Sequence, residues 1–166
     1  MFTEQQYFAD APIPAVMIPI NVTHQAIVTK EIHRRLLVPD SEASDDPLPK
    51  AQSNLRHTLS TLISFFADSY KSTFGFNDGP PLHDALTIAY VFEPKLFKSK
   101  RYHVDTELTG THTSGSTVVD IWDYAQSNNS WGASGKNCIV TEELNVRILP
   151  SCWDVLSWTL VGFTIL

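Results

Sequence analysis

The chain is organised around the stretch Pro80-Pro-Leu-His-Asp-Ala-Leu-Thr-Ile-Ala-Tyr-Val91. Prolines suit the turn before a helix and its first positions, and the apolar run after them predicts that a helix begins near Ala85. His83 and Asp84 then lie side by side at the helix entrance, where free N–H groups and a partial positive charge favour a carboxylate. The pair combines a proton donor with a hard-metal ligand. The alternative is that Asp84 only caps the helix while His83 packs nearby.

Composition limits the class of protein. With 166 residues, 43% of them hydrophobic and 18% charged, the chain can form one domain with its own core. A net charge of −6 and the lack of a Lys/Arg cluster argue against a nucleic-acid partner. Cys138 and Cys152 show no disulfide or zinc pattern. We expect a cytoplasmic protein without a membrane partner, since no signal arrangement opens the chain and the apolar residues 155–166 fall short of the roughly 20 needed for a span.

Outside the central stretch, the patterns alternate between strand and helix. Residues 15–20 predict a buried strand, with residues 21–25 as the loop at its carboxyl end, where open α/β sheets bind ligands. Thr29 is a plausible N-cap for a helix that Pro39 stops, and residues 40–50 form a surface loop. Apolar residues at steps of three and four from Leu55 to Tyr70 predict a helix of roughly twenty residues that ends near Gly75.

After Pro94 the spacing changes to alternation. Residues 102–108 and 118–122 predict two strands joined through a turn at 110–115, and a third strand follows around 138–140. The expected fold is therefore α/β: an open, mostly parallel sheet flanked by helices, with added strands near the C-terminus.

Four blocks of the sequence occur in the order found in the inosine-uridine preferring nucleoside hydrolase family, and the chain resembles the C-terminal half of that family. The blocks are Pro14-Ala-Val-Met-Ile-Pro-Ile-Asn-Val-Thr-His-Gln25, Phe65-Phe-Ala-Asp-Ser-Tyr70, the central stretch from Gly75 to Tyr90, and residues 104–110 with 117–120. The resemblance covers about residues 8–146, and residues 129–138 look like the version in fungal uridine nucleosidases. We expect residues 1–166 to be a single, partial domain of this type, with a divergent tail at 147–166.

The resemblance implies hydrolysis of purine or pyrimidine ribonucleosides to ribose and free base, with calcium. Breaking an N-glycosidic bond requires neutralising the departing base and directing a water at a ribosyl centre with oxocarbenium character. Histidine suits the first task because its unperturbed pKa is about 6.5, and a carboxylate suits the second because Ca²⁺ prefers oxygen ligands. By resemblance, His83 protonates the leaving group and contacts the substrate, and Asp84 is a calcium ligand.

The resemblance also implies that Tyr70 and Phe74 lie near the nucleobase, although aromatic residues at helical spacing more often belong to a core. His24 follows the first predicted strand and has two interpretations, a pocket residue or a structural histidine with a hydrogen-bond partner. Structural or solvated roles are expected for the remaining histidines, and Asp105 and Glu107 are expected to face solvent because they alternate with apolar residues. The histidines concerned are His33, His57, His103 and His112.

The chain departs from the family in the ligands that it offers to a metal ion. A calcium ion takes about 6 to 8 oxygen ligands, of which Asp84 supplies at most two. The family draws others from an Asp-rich motif of the type Asp-Thr-Asp-Pro-Gly-x-Asp-Asp, which has no match in this sequence. An alternative function therefore stands beside the enzymatic one: a non-catalytic fragment that binds a partner, either a second copy of itself or a full-length paralogue, through apolar surface and sheet edges.

Overall fold

The computed structural model describes residues 14–39, 41–44, 46–132 and 134–146, so Cys152 and the divergent tail lie outside the described residues. The fold divides into two compact units. One contains the described parts of residues 1–19 and 97–143, and the other those of residues 20–96 and 144–166.

The first unit is built from strands. Strands β1 (Ala15–Met17), β2 (Phe97–Tyr102), β3 (Val104–Thr106), β4 (Thr117–Val119) and β5 (Cys138–Leu144) form two sheets. One sheet has the order β1-β5-β2, with β1 parallel to β5 and Ala15 opposite Cys138; the other pairs β3 with β4 antiparallel. The buried apolar cluster of this unit contains Tyr102, Val104, Cys138 and Val140.

The second unit is helical. Its elements are α1 (Ile20–Thr23), α2 (Lys30–Leu37), α3 (Asn54–Phe74), α4 (Ala85–Phe92) and a 3-10 turn at Pro94–Leu96. Apolar side chains from α1, from the segment after it, and from α2, α4 and the 3-10 turn are buried: Val22, Ala26, Val28, Leu36, Leu37, Leu86, Ala89 and Leu96. The α/β class predicted from the sequence is confirmed, and one strand pair of the described part is parallel.

The helix boundaries follow the sequence signals closely. The Thr29 hydroxyl accepts a hydrogen bond from the Ile32 N–H and caps α2, as predicted. Helix α3 is 21 residues long and ends at Gly75, whose φ of +76° places it in the left-handed region that favours glycine. A helix also begins at Ala85, as the central stretch indicated.

The strand boundaries required more correction. The strand predicted at 15–20 ends at Met17, because Pro19 has no N–H for a ladder, and Ile20 begins α1 in place of the predicted loop. Leu108, Ile121 and Trp122 lie outside any strand and are exposed. Side chains divert the backbone there: the carboxylate of Glu107 accepts the Thr109 N–H, and that of Asp120 accepts the N–H groups of Tyr124 and Ala125. The last strand is longer than predicted and reaches Leu144.

Candidate active site

A short backbone pairing brings together the residues of the candidate site in the helical unit. The Val28 N–H donates to the Pro80 carbonyl at 2.9 Å, and the Leu82 N–H donates to the Ala26 carbonyl at 2.9 Å. These bonds form an antiparallel bridge between Ile27 and Pro81. The pairing joins the segment after α1 to the segment before α4, which brings residues near position 23 next to residues near position 83.

Gly79 makes this pairing possible. Its φ is +137°, and a Cβ built on it would lie 2.0 Å from the Val28 carbonyl oxygen. Side chains rarely adopt that backbone conformation, and no heavy atom fits at that distance. Only glycine therefore allows the two segments to approach this closely.

His83 is hydrogen-bonded at both ring nitrogens. Its Nδ1 lies 2.8 Å from the Thr23 hydroxyl in α1, and its Nε2 lies 2.9 Å from the Tyr70 hydroxyl in α3. The Thr23 hydroxyl also donates to the Ile20 carbonyl at 3.1 Å. Thr23 is buried, whereas Tyr70 and His83 are partly exposed. Three separate elements thus hold one imidazole ring in a fixed orientation.

Aromatic rings surround His83. The Tyr70 ring lies 6.2 Å from the His83 ring, 5.4 Å from Phe74 and 5.7 Å from Phe76, centroid to centroid. His24 contacts Phe76 edge-on at 5.3 Å and lies 5.5 Å from His83. These separations are typical of stabilising aromatic pairs. Tyr70, Phe74 and His83, each named from the sequence, are therefore neighbours, and His24 joins them. Phe76 and Thr23 are additions that the sequence did not reveal.

Two cavities open beside this cluster. One, of about 260 Å³, is lined by Tyr70, His83 and Asp84 with apolar residues of α3 and the proline turn. The other, of about 340 Å³, is lined by His24, Ile27 and residues 74–79. Both lie near the lower end of the roughly 300–1,000 Å³ range of small-molecule pockets. Each is large enough for part of a small ligand.

Asp84 differs from its neighbour. It is exposed, and although it occupies the N-cap position of α4, its side chain makes no capping hydrogen bond. The backbone carbonyls of His83 and Asp84 accept the Leu86 and Thr87 N–H groups instead. The alternative in which Asp84 only caps the helix therefore has no side-chain hydrogen bond to support it, although Asp84 holds the N-cap position.

The described residues do not amount to a calcium site. No group of three or more His, Cys, Asp or Glu side chains suited to a metal ion occurs among them. Asp84 offers at most two of the 6 to 8 oxygens that calcium requires. Within the part of the chain that the structure describes, the donor set does not fit a bound calcium ion.

The other titratable residues have structural surroundings. His33 is buried against the Ser60 hydroxyl at 2.7 Å, and burial lowers its pKa. The His103 ring bonds to the Gly135 carbonyl and to the Asp105 carboxylate. Asp105 is exposed, as predicted. Burial raises the pKa of the Cys138 thiol to about 11, so this cysteine is protonated at neutral pH and unsuited to nucleophilic attack.

Among the described residues, no helix combines the length and the apolar character that crossing a membrane would require.

The fold and the site define an α/β protein with a histidine–tyrosine pair in an aromatic cluster and a free carboxylate beside it. A sequence profile of the family described as inosine-uridine preferring nucleoside hydrolase matches residues 4–149. The chain belongs to this family. The expected resemblance to this family is thereby confirmed.

Individual relatives agree. The chain is 34% identical over 147 residues to a probable ribonucleoside hydrolase of Dictyostelium discoideum, covering 89% of this chain and 38% of that protein. It is 36% identical over 111 residues to the pyrimidine-specific ribonucleoside hydrolase RihA of Shewanella woodyi, covering 66% of this chain and 31% of that protein. The chain thus spans between about a third and two fifths of the length of these relatives.

Solved structures share the fold. A purine-preferring ribonucleoside hydrolase from Gardnerella vaginalis superposes with a TM-score of 0.65 at 20% identity, over 88% of this chain and 40% of that one. A plant nucleoside hydrolase gives a TM-score of 0.66 at 17% identity, over 88% of this chain and 42% of that one. At these identities the likeness concerns the fold alone.

Proposed function

We propose that this chain carries the leaving-group side of a ribonucleoside hydrolase site, which protonates the departing base as the N-glycosidic bond breaks. The observation that carries the proposal is the bonding of His83 between Thr23 and Tyr70, next to a cluster of exposed and half-exposed aromatic rings. The names of the relatives, which describe ribonucleoside hydrolases, support the reaction class.

The proton path in this proposal runs through Tyr70. Protonated His83 donates from Nε2 to the Tyr70 oxygen, and the Tyr70 hydroxyl passes its own proton to a nitrogen of the departing base. The Thr23 side of the ring cannot serve this purpose, because Thr23 is buried and its hydroxyl proton is already donated to Ile20. General acid catalysis of this kind typically contributes roughly 10²- to 10⁴-fold in rate.

The aromatic rings suit the base itself. Phe74 is 66% exposed, and therefore presents a free face although it lies only 5.4 Å from Tyr70. A planar nucleobase gains both apolar burial and favourable ring geometry against such a face. We assign Tyr70, Phe74 and His83 to substrate binding and add Phe76 and His24 as neighbours of the same cluster.

Asp84 is the proposed calcium ligand. Asp84 lines the same cavity as His83, and its side chain makes no capping hydrogen bond. A metal ion held there would orient a water and lower its pKa. Asp84 can supply at most two of the about 6 to 8 oxygen ligands that calcium takes.

A second function is favoured by one observation. Helix α3 exposes Leu62, Phe65 and Phe66, which are 49%, 67% and 49% exposed, along one side. Apolar surface of this kind is typical of an interface. The alternative is that the chain acts as a binding module for a second copy or a full-length paralogue, without turnover of its own.

The test is ribose release from uridine and from inosine by the purified chain, with calcium and with chelator. The enzymatic proposal predicts chelator-sensitive release that is lost in His83→Ala and Asp84→Asn, with His57→Ala, an exposed histidine of α3, as the matched control. A folded sample that releases no ribose, yet forms a dimer that Phe65→Lys disrupts, would support the binding module instead. Release that is unaffected by His83→Ala would contradict the assigned role of this histidine.

A further inference from the structure

We propose that Thr23 is a positioning residue that holds the proton of neutral His83 on Nδ1, so that only Nε2 exchanges protons with Tyr70. This inference rests on the function proposed for His83. Thr23 would serve the reaction by orienting His83, and it would not touch the substrate.

The hydrogen bonds around Thr23 determine the direction of each proton. A threonine hydroxyl has one proton and two acceptor lone pairs. The Thr23 hydroxyl lies 3.1 Å from the Ile20 carbonyl, which can only accept, and 2.8 Å from His83 Nδ1. We assign the hydroxyl proton to the carbonyl, so that a lone pair faces Nδ1 and the ring donates from Nδ1. The Ile20 carbonyl also accepts the His24 N–H at 2.9 Å, which its two lone pairs allow.

Thr23 is buried, which protects its two hydrogen bonds from replacement by water. Its side chain is 4% exposed, so water does not replace either bond. A neutral imidazole in water prefers the opposite tautomer, with the proton on Nε2. Because a buried donor or acceptor without a partner costs about 1–3 kcal/mol, the Thr23 bond is strong enough to reverse that preference.

The tautomer matters because it decides which nitrogen gives up its proton. In the charged state both nitrogens carry protons, and Nε2 donates to the Tyr70 oxygen. When the glycosidic bond breaks, its electron pair goes to the base nitrogen, which takes the Tyr70 hydroxyl proton. The Nε2 proton moves to the Tyr70 oxygen, so Tyr70 ends neutral and His83 ends neutral with its remaining proton on Nδ1. Thr23 accepts a hydrogen bond from that proton before and after the step.

The decisive experiment is nitrogen-15 NMR of the His83 ring in the full chain, at a pH where the imidazole is neutral. Wild type and Thr23→Ser should show the Nδ1-protonated pattern, with Nε2 shifted as an unprotonated nitrogen. Thr23→Val, which keeps the shape but removes the hydroxyl, should change to the Nε2-protonated pattern. An Nε2-protonated ring in wild type would overturn the proposal, as would an unchanged tautomer in Thr23→Val.

Ribose release supplies the second readout. A wrong histidine tautomer costs about 10⁴-fold in a serine protease where a carboxylate is lost, so the loss of a neutral hydroxyl acceptor should cost roughly tenfold in kcat with KM nearly unchanged. Thr23→Ser should restore the rate.

If wild type releases no ribose, the function proposed for His83 fails while the NMR result still tests Thr23. If ribose is released by a chain whose His83 carries its proton on Nε2, only the role of Thr23 fails. The wild-type spectrum tests the proposal even if Thr23→Val does not fold.

Discussion

His83 and Asp84 are adjacent in the chain but have opposite surroundings. The ring of His83 is bonded at both nitrogens by side chains from two other helices, whereas the carboxylate of Asp84 is exposed and makes no capping bond. The part of the site to which we assign proton donation is therefore assembled within residues 20–85. For the metal ion that we propose, the described residues offer no group of three or more possible side-chain ligands.

The difference has a physical origin in the pairing of residues 26–28 with residues 80–82. That pairing places Thr23 next to His83, and the end of α3 places the Tyr70 hydroxyl next to the other ring nitrogen, Nε2. The other described residues that line the cavity beside Asp84 carry no carboxylate: they are Tyr70, His83, two prolines and apolar side chains. The same geometry thus leaves the His83 ring bonded on both sides and the Asp84 side chain exposed without a capping bond.

The largest predicted effect comes from breaking the pairing itself. Gly79→Ala would place a Cβ 2.0 Å from the Val28 carbonyl at a φ of +137°, so the segments must separate. We expect a loss of about 3 kcal/mol or more in the free energy of unfolding, a size associated with strain and broken packing. Urea unfolding checks this.

Gly75→Ala is the matched control, since Gly75 also has positive φ but a Cβ added there would meet no atom within 4 Å. Its left-handed conformation should cost roughly 1–2 kcal/mol. Equal losses in the two variants would show that the close approach of Gly79 to Val28 does not hold the site together.

The second prediction compares the two adjacent residues directly. His83→Ala removes two hydrogen bonds and leaves the buried Thr23 hydroxyl without its ring partner, so we expect a loss of about 1–3 kcal/mol in the free energy of unfolding. Asp84→Asn should change it by no more than about 0.5 kcal/mol, as is usual for an exposed side chain. Thermal unfolding of both variants measures the contrast. A larger loss in Asp84→Asn than in His83→Ala would reverse the assignment of the bonded and the available residue.

Much of this arrangement follows from local sequence. The length of α3, the Thr29 cap, the Gly75 terminus and the helix start after Asp84 each depend on residues within a few positions of one another. These are the features that periodicity and capping residues encode. For Tyr70 and Phe74, helical spacing alone favoured a core position, and it was the resemblance to the family that implied a place near the nucleobase.

Thr23 and Phe76 could not be predicted in the same way. Thr23 meets His83 across 60 residues of chain, and the contact exists only because Gly79 lets two distant segments pair. Phe76 lies beyond the end of α3, where no periodicity extends, and its contact with His24 depends on the same pairing. Strands β3 and β4 end just before Glu107 and Asp120, whose carboxylates accept backbone N–H groups. An alternating pattern of apolar and polar residues gives no sign of such bonds.

A smaller effect is expected at Tyr70. Tyr70→Phe keeps the ring contacts with Phe74 and Phe76 but removes the hydroxyl that bonds His83 Nε2. The free energy of unfolding should fall by about 0.5–1.5 kcal/mol, the usual net contribution of one hydrogen bond, while ribose release should fall by about 100-fold or more. Tyr124→Phe is the control, because Tyr124 is 86% exposed. Retention of full ribose release by Tyr70→Phe would remove the tyrosine from the proton path.

The smallest predicted effect concerns the pH dependence of stability and the buried histidine of α2, His33. Burial lowers the pKa of His33 in the folded state, whereas the unfolded chain has the ordinary value of about 6.5. Below pH 6.5 the unfolded state therefore binds a proton that the folded state does not, so the stabilisation present above that pH is lost as the pH falls toward the lower folded value. His33→Gln should flatten this part of the stability profile, and the exposed His57→Gln should leave it unchanged. A profile that keeps its slope in His33→Gln would show that burial of His33 does not carry the pH dependence.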